Sequence, residues 1–270
     1  VAVGLRNPDR LALVDGSTGR VLRRVALAES PRHLSLASGG RVLVPAERSN
    51  ELIEVRLPGG ATGSVEVGEF PHDAAASNGR VFVGNEFGDT ITVLEDGEVA
   101  GALEAPVQPG GLATTADGEL VVVAVAERVV RSYDASTLEQ RGTVSGGVGP
   151  THAVSGCDRR AYVADTGGEA VLVYEVEPEL RRVDRVELSG GPYGIALDCR
   201  RGVLWVTLPG ENRLVALRLP GRAGAVRELA SYATVRQPNS VAADPRSGRV
   251  FVAGRDDGTL QILNPRPDER

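Results

Sequence analysis

Two residue types are missing from this sequence altogether. It contains no methionine, and all 30 of its basic residues are arginine, which leaves no lysine. Usage of this kind is typical of GC-rich coding DNA and indicates nothing about function. The basic residues are outnumbered, because 36 acidic residues give a formal net charge of −6 and a pI of about 5.3. This acidity argues against nucleic acid or an anionic membrane as a partner.

Long hydrophobic runs are missing as well. No run approaches the roughly 18 apolar residues needed to span a bilayer, so the sequence predicts no transmembrane segment. No signal peptide is present, but the chain begins at Val1 without an initiator methionine. We therefore expect a processed or trimmed chain, from which a targeting segment could have been removed. No segment shows a sustained 3.6-residue apolar period, which predicts almost no helix.

What the sequence does contain is an internal repeat. A short proline-led pattern recurs six times, and successive prolines are 40, 38, 41, 42 and 46 residues apart. The six patterns begin at Pro31, Pro71, Pro109, Pro150, Pro192 and Pro238. This spacing is typical of β-propeller blades, whose sequence period is about 40 to 45 residues.

Each repeat predicts the same succession of four strands. A strand of small residues such as Ala74–Ser77 comes first, and a β-branched strand such as Val81–Val83 follows a glycine turn. The third strand alternates apolar and polar residues, as in Thr90–Leu94, and a more polar fourth strand closes the unit, as in Arg181–Leu188. We therefore predict an all-β fold: one β-propeller domain over residues 1–270, with four-stranded antiparallel blades and the small first strands innermost.

The blade count depends on the two ends of the chain. Patterns at Val1–Leu5, Leu11–Val14 and Val21–Leu27 predict the second, third and fourth strands of a first blade that lacks its inner strand. Residues 240–263 predict the first three strands of a last blade. These ends favour seven blades, with six as the alternative. We expect the missing outer and inner strands to lie upstream of Val1, where they would close the ring and protect its edges.

One repeat resembles known repeat classes especially well. Residues 150–155 (PTHAVS), 160–165 (RAYVAD) and 170–174 (AVLVY) resemble the NHL and YVTN classes of propeller repeat. The resemblance covers essentially the whole chain and implies a β-propeller. Members of these classes include surface and periplasmic binding proteins, subunits of quinoprotein dehydrogenases, streptogramin lyases and a zinc-dependent amidating lyase. The fold does not decide among these functions.

All three histidines lie one or two residues after a repeat proline. In a propeller these positions lie at the mouth of the central channel, so His33, His72 and His152 are candidate ligands of a divalent metal, zinc or calcium. The resemblance to the zinc-dependent amidating lyase implies channel histidines in this role. The other interpretation is that they are structural turn residues. Strand parity also places His72 opposite the other two, unless the loop registers differ.

Equivalent positions of the other repeats extend the candidate site. We predict a polar ligand-binding surface at the channel mouth, formed by Arg32, His33, His72, Asp73, His152, Tyr193 and Asn239. In a catalytic site, Asp73 or Tyr193 would transfer protons. Polar loops after the second strands, such as Glu47–Asn50 and Asn85–Asp89, add further carboxylates. They lack the spacing of a calcium-binding loop, so solvated turns are the favoured interpretation.

The two cysteines occupy the same turn of consecutive repeats. Equivalent turns of adjacent blades are neighbours, so Cys157 and Cys199 favour a disulfide over two unrelated buried thiols. Disulfides persist in oxidising compartments, and this pairing agrees with an extracellular, periplasmic or cell-surface location.

Three functions stay open at this point. The favoured one is an exported binding or scaffold protein that binds a protein or a small polar ligand over the channel-mouth face. It is favoured because the sequence contains no strong catalytic set, such as a nucleophile elbow, because the repeat class is rich in scaffolds, and because the surface is acidic. The second is a metal-dependent lyase or hydrolase with His33, His72 and His152 as ligands. The third is a protein-only subunit of a redox assembly.

Overall fold

The structure is a computed structural model that describes residues 1–220, 224–256 and 258–265. Within these ranges the regular elements are strands, apart from one 3₁₀ turn at Ser38–Gly40. The prediction of almost no helix is therefore confirmed. No helix in the described ranges is long and apolar enough to cross a membrane.

The chain divides into two compact units. The first comprises Val1–Thr114, Gly118–Glu127 and Arg131–Arg141. The second comprises Thr115–Asp117, Arg128–Val130 and Gly142–Arg270.

Seven antiparallel sheets follow one another along the chain, and each sheet is one blade. Blade 1 has three strands: β1 (Ala2–Leu5), β2 (Arg10–Val14) and β3 (Val21–Ala26). Blade 2 contains β4 (Ser35–Ala37), β5 (Arg41–Ala46), β6 (Glu51–Arg56) and β7 (Ala61–Glu66). Blade 3 contains β8 (Pro71–Ser77), β9 (Arg80–Asn85), β10 (Thr90–Glu95) and β11 (Glu98–Glu104). Blade 4 contains β12 (Pro109–Thr114), β13 (Glu119–Ala124), β14 (Val129–Asp134) and β15 (Gln140–Ser145).

The remaining blades repeat the pattern. Blade 5 contains β16 (Pro150–Ser155), β17 (Arg160–Asp165), β18 (Ala170–Glu175) and β19 (Arg181–Glu187). Blade 6 contains β20 (Ile195–Asp198), β21 (Val203–Leu208), β22 (Arg213–Arg218) and β23 (Arg227–Ala233). Blade 7 has three strands: β24 (Pro238–Ala243), β25 (Val250–Gly254) and β26 (Leu260–Leu263). The all-β fold and the seven-bladed propeller are confirmed, and the alternative of six blades was wrong.

Burial changes from strand to strand in the order that the composition predicts. The second strands β9 and β13 are buried almost throughout, and the fourth strands β7 and β11 are largely exposed. The apolar second and third strands pack against the neighbouring blade. Between blades 3 and 4, for example, Phe82 and Ile91 form one core with Leu120 and Tyr133. Complete burial of a side chain such as Phe82 contributes about 1.5 to 3 kcal/mol.

Three blade junctions share a hydrogen bond that positions the residue before the repeat proline. This residue has a positive φ. Its partner is an Asn or Asp, also with a positive φ, in the loop that follows the second strand of the preceding blade. The Oδ1 atom of this Asn or Asp accepts the backbone N–H of the residue before the proline. The bonds are Phe70 to Asn50 (2.9 Å), Gln108 to Asp89 (2.9 Å) and Gln237 to Asn212 (2.8 Å).

Candidate functional site

A β-bulge lies directly after the repeat proline in four of the blades. The register shifts between Pro71 and Asp73, Pro109 and Gly111, Pro150 and His152, and Pro238 and Ser240. A bulge inserts one extra residue and changes the direction of the side chains around it. Strand parity therefore does not separate His72 from His33, and their ring centroids lie 4.6 Å apart.

His72 is held in one tautomer by its two neighbours. Its side chain is buried, and its Nδ1 atom lies 2.7 Å from the backbone oxygen of Gly110, which can only accept a hydrogen bond. The ring proton is therefore on Nδ1, and Nε2 carries a lone pair. The Nε–H of Arg32 donates to this Nε2 at 3.0 Å. Burial is the main cause that lowers the pKa of His72 below its usual 6.5.

Two glutamates flank the imidazole because blades 2 and 3 repeat one local geometry. Glu47 and Glu86 are the first residues after β5 and β9, whose ends pair with the repeat prolines. Arg32 and His72 directly follow those prolines, so each faces the glutamate of its own blade. The Nε atom of Arg32 lies 3.1 Å from an oxygen of Glu47. The Nε2 atom of His72 lies 3.8 Å from the Oε2 atom of Glu86.

One ligand atom from each of Glu47, His72 and Glu86 lies within 4.8 Å of the other two. Within the described ranges, no other three Asp, Glu, His or Cys residues meet this criterion. The Oε1 atom of Glu86 accepts a hydrogen bond of 2.6 Å from the Gln108 side chain, which orients the carboxylate. Burial raises the pKa of Glu47, and Arg32 partly opposes this shift. We refer to Arg32, His33, Glu47, His72 and Glu86 as the His–Glu cluster.

Asp73 lies beside the cluster, but its oxygens are bonded to backbone. It is buried, and it accepts the N–H of Ala74 at 2.8 Å and that of Leu112 at 2.9 Å. Burial raises its pKa to about 7 against the effect of these two hydrogen bonds. The Nδ1 atom of His33 lies 3.8 Å from its Oδ1 atom. Asp73 therefore joins blade 3 to the inner strand of blade 4.

The other predicted site residues belong to the second unit. The Nδ1 atom of His152 lies 3.1 Å from the backbone oxygen of Tyr193, and the two rings form an edge-on contact at 4.4 Å. Asn239 lies at the start of β24 and is partly buried. Arg32, His33, His72 and Asp73 are thus together in the first unit, and His152 pairs with Tyr193 in the second. The metal site formed by all three histidines stays a prediction.

Glu47 and Glu86 lie in the two loops that the sequence favours as solvated turns. The signal that could have identified them is their register, because each is the first residue after a second strand, in adjacent repeats. Only the pairing of that strand end with the repeat proline brings them beside Arg32 and His72.

The two cysteines form a disulfide in the second unit. Cys157 and Cys199 lie in the turns between the first and second strands of blades 5 and 6, and their Cα atoms are 5.1 Å apart. The bond therefore joins two adjacent blades. Both cysteines are distant in the sequence from the residues of the His–Glu cluster.

Comparisons with known proteins identify the fold and leave the function open. No protein-family model matches the chain, and no curated protein matches it significantly. Hydrazine synthase from Kuenenia stuttgartiensis superposes with a TM-score of 0.82 at 17% identity, covering 96% of this chain and 90% of that chain. Virginiamycin B lyase from Staphylococcus aureus gives 0.76 at 14% identity, covering 96% and 89%. A chain of the mitotic checkpoint complex gives 0.82 at 13% identity, covering 97% and 82%.

These similarities agree with the NHL- and YVTN-like repeat and establish a seven-bladed β-propeller. Such propellers serve both as binding scaffolds and as enzymes, and identities this low show the fold alone.

Proposed function

We propose that this protein is an exported binding propeller that holds a divalent cation in the His–Glu cluster and captures a small polar ligand through it. The observation that carries the proposal is the convergence of Glu47, His72 and Glu86 within 4.8 Å. The cysteine pair supports export, because disulfides persist outside the cytosol.

The donor set favours zinc over calcium. Imidazole nitrogen is a good zinc ligand, whereas calcium requires six to eight oxygens. Two ligand atoms about 2.1 Å from a tetrahedral zinc ion lie about 3.4 Å apart. The 3.8 Å between His72 and Glu86 is close to that spacing. The hydrogen bond from Nδ1 of His72 to Gly110 is the outer contact that zinc-binding histidines usually make. Three protein ligands would leave one position for the captured ligand.

Binding is favoured over catalysis by the environment of the expected proton-transfer groups. Both oxygens of Asp73 accept backbone hydrogen bonds, so this carboxyl has structural partners even though burial raises its pKa to about 7. The ring of Tyr193 packs against that of His152. These contacts give both side chains a structural role, which favours binding over proton transfer.

Zinc binding tests the proposal. Calorimetric titration of chelator-treated protein should detect one zinc site, and His72→Ala should weaken it about 100-fold. Loss of a ligand costs at least as much as the 10- to 100-fold typical of its outer hydrogen-bonding partners. His152→Ala is the matched control. His152 also follows a repeat proline, but it does not belong to the group formed by Glu47, His72 and Glu86. A protein that binds no zinc, or equal weakening by both substitutions, would contradict the proposal.

Arg32 should compete with the cation. Its guanidinium bonds His72 and Glu47, the groups that zinc needs, and its side chain is exposed enough to move into solvent. Arg32→Ala should therefore tighten zinc binding about tenfold, a difference of about 1.4 kcal/mol. Arg48→Ala is the control, since it removes the same charge from the exposed loop beside Glu47. Weaker binding by Arg32→Ala, or an equal effect of both substitutions, would mean that Arg32 does not occupy the cation position.

A further inference from the structure

Two phenylalanine rings lie against each other at the end of blade 3 that carries His72 and Glu86. Phe70 and Phe87 have ring centroids 4.4 Å apart and are tilted by 33°. Phe87 is 56% exposed, although the whole sequence contains only four phenylalanines. The other two, Phe82 and Phe251, are buried in the core. Half of the phenylalanines therefore form one pair outside the core.

The backbone connects this pair directly to the cluster. Phe70 lies two residues before His72, and Phe87 directly follows Glu86. The N–H of Glu86 donates to the backbone oxygen of Phe70 at 2.8 Å. The rings therefore lie at the same end of blade 3 as the proposed zinc ligands, where β8 begins and β9 ends.

Phe70 also occupies an unfavourable backbone conformation. Its φ is +60°, a value that bulky residues rarely adopt. Gly191, Gln108 and Gln237 have positive φ at the corresponding position before other repeat prolines. The hydrogen bond to Asn50 holds Phe70 in this conformation. Because these other junctions share the positive φ, the unusual feature of Phe70 is its bulky aromatic ring at a position that Gly191, Gln108 and Gln237 occupy in other repeats.

The charges of the cluster indicate which polar group the ligand carries. With zinc bound, the divalent ion would balance the two carboxylates of Glu47 and Glu86. The positive charges of Arg32, Arg6 and Arg48 also act on Glu47, so the surroundings of the loaded site are positive. This excess favours an anionic ligand, and a carboxylate matches both zinc and a guanidinium.

We infer that the ligand of this site is an aromatic monocarboxylate, whose carboxylate binds at the His–Glu cluster and whose ring packs on Phe70 and Phe87. This inference rests on the proposed zinc site. Aromatic rings in offset or edge-on contact attract one another beyond the effect of buried area. The aromatic pair therefore provides selectivity, while the cluster binds the charged group.

The experiment compares phenylacetate with acetate on the zinc-loaded protein. We expect phenylacetate to bind about tenfold more tightly than acetate, and Phe87→Ala to abolish this preference while zinc affinity stays unchanged. Val148→Ala is the matched control, because Val148 is also 56% exposed and lies in the second unit. Equal binding of the two acids, or a preference that survives in Phe87→Ala, would overturn the aromatic site and leave the zinc site standing. Failure to bind zinc would overturn both.

Phe70→Gly provides a second, independent variant. Glycine adopts positive φ without strain, so this substitution removes the ring and relieves the backbone together. We expect the phenylacetate preference to be lost while the melting temperature is retained or rises, as for residues kept for function at the expense of stability. A lower melting temperature with the preference intact would assign Phe70 a structural role only and would overturn its part in the inference.

Discussion

Replacing Cys157 and Cys199 together by alanine is expected to lower the free energy of unfolding by about 4 kcal/mol. The disulfide closes a loop with a sequence separation of 42 residues between blades 5 and 6. In the chain-entropy model, closing a loop of that length restricts the unfolded chain and accounts for this value. Urea unfolding of the wild type and the double variant measures the difference, with the denaturant midpoint and slope compared separately.

Reduction of the wild type provides the control for the disulfide. A reducing agent should shift the wild-type transition towards that of the double variant and leave the double variant unchanged. Two reactive thiols in the denatured, unreduced protein would show that the bond does not form. Equal stability of the oxidised protein and the double variant would show that the cross-link adds nothing.

Asp165→Ala is expected to lower the free energy of unfolding by about 2 to 6 kcal/mol. Asp165 lies at the end of β17 and has no solvent exposure. Its carboxylate accepts the N–H groups of Val148 and Gly149, ahead of the repeat proline, and of Gly168 in the following turn. Alanine would leave the N–H groups of Val148 and Gly149 without their acceptor, and each such loss costs about 1 to 3 kcal/mol. The N–H of Gly168 keeps its second bond, of 3.1 Å, to the backbone oxygen of residue 165.

Asp165→Asn separates the hydrogen bonds from the charge. An asparagine keeps one oxygen that can accept from Gly149 and Gly168, so it should cost clearly less than alanine. It also weakens the contact of 3.6 Å between Arg185 and the Oδ2 atom of Asp165. Thermal unfolding of both variants measures the difference. If asparagine is as damaging as alanine, the charge pair rather than the hydrogen bonds stabilises this junction.

The histidines illustrate how far the candidate site can be predicted from the sequence. Their position after the repeat prolines predicts that they lie at or just before the starts of the inner strands, where the structure has them. It did not identify their partners, because the partners come from other strands. Glu47 and Glu86 follow second strands, and Gly110 belongs to the next blade, so only strand pairing and blade packing bring them to His72. Strand parity also gives the wrong side for His72, because it assumes a regular strand and the structure has a β-bulge after Pro71.

The sequence by itself determined the repeat and the succession of strands, and it favoured seven blades over six, because hairpin turns and alternating apolar residues act between neighbours in the chain. The tertiary structure alone decided which polar groups meet. Arg32 and His72 are 40 residues apart in sequence, yet their side chains share one hydrogen bond. Phe70 and Phe87 likewise become a pair only through the register of β8 and β9. The first contact depends on the packing of neighbouring blades and the second on strand pairing within one blade. No local pattern of residue types encodes either of them.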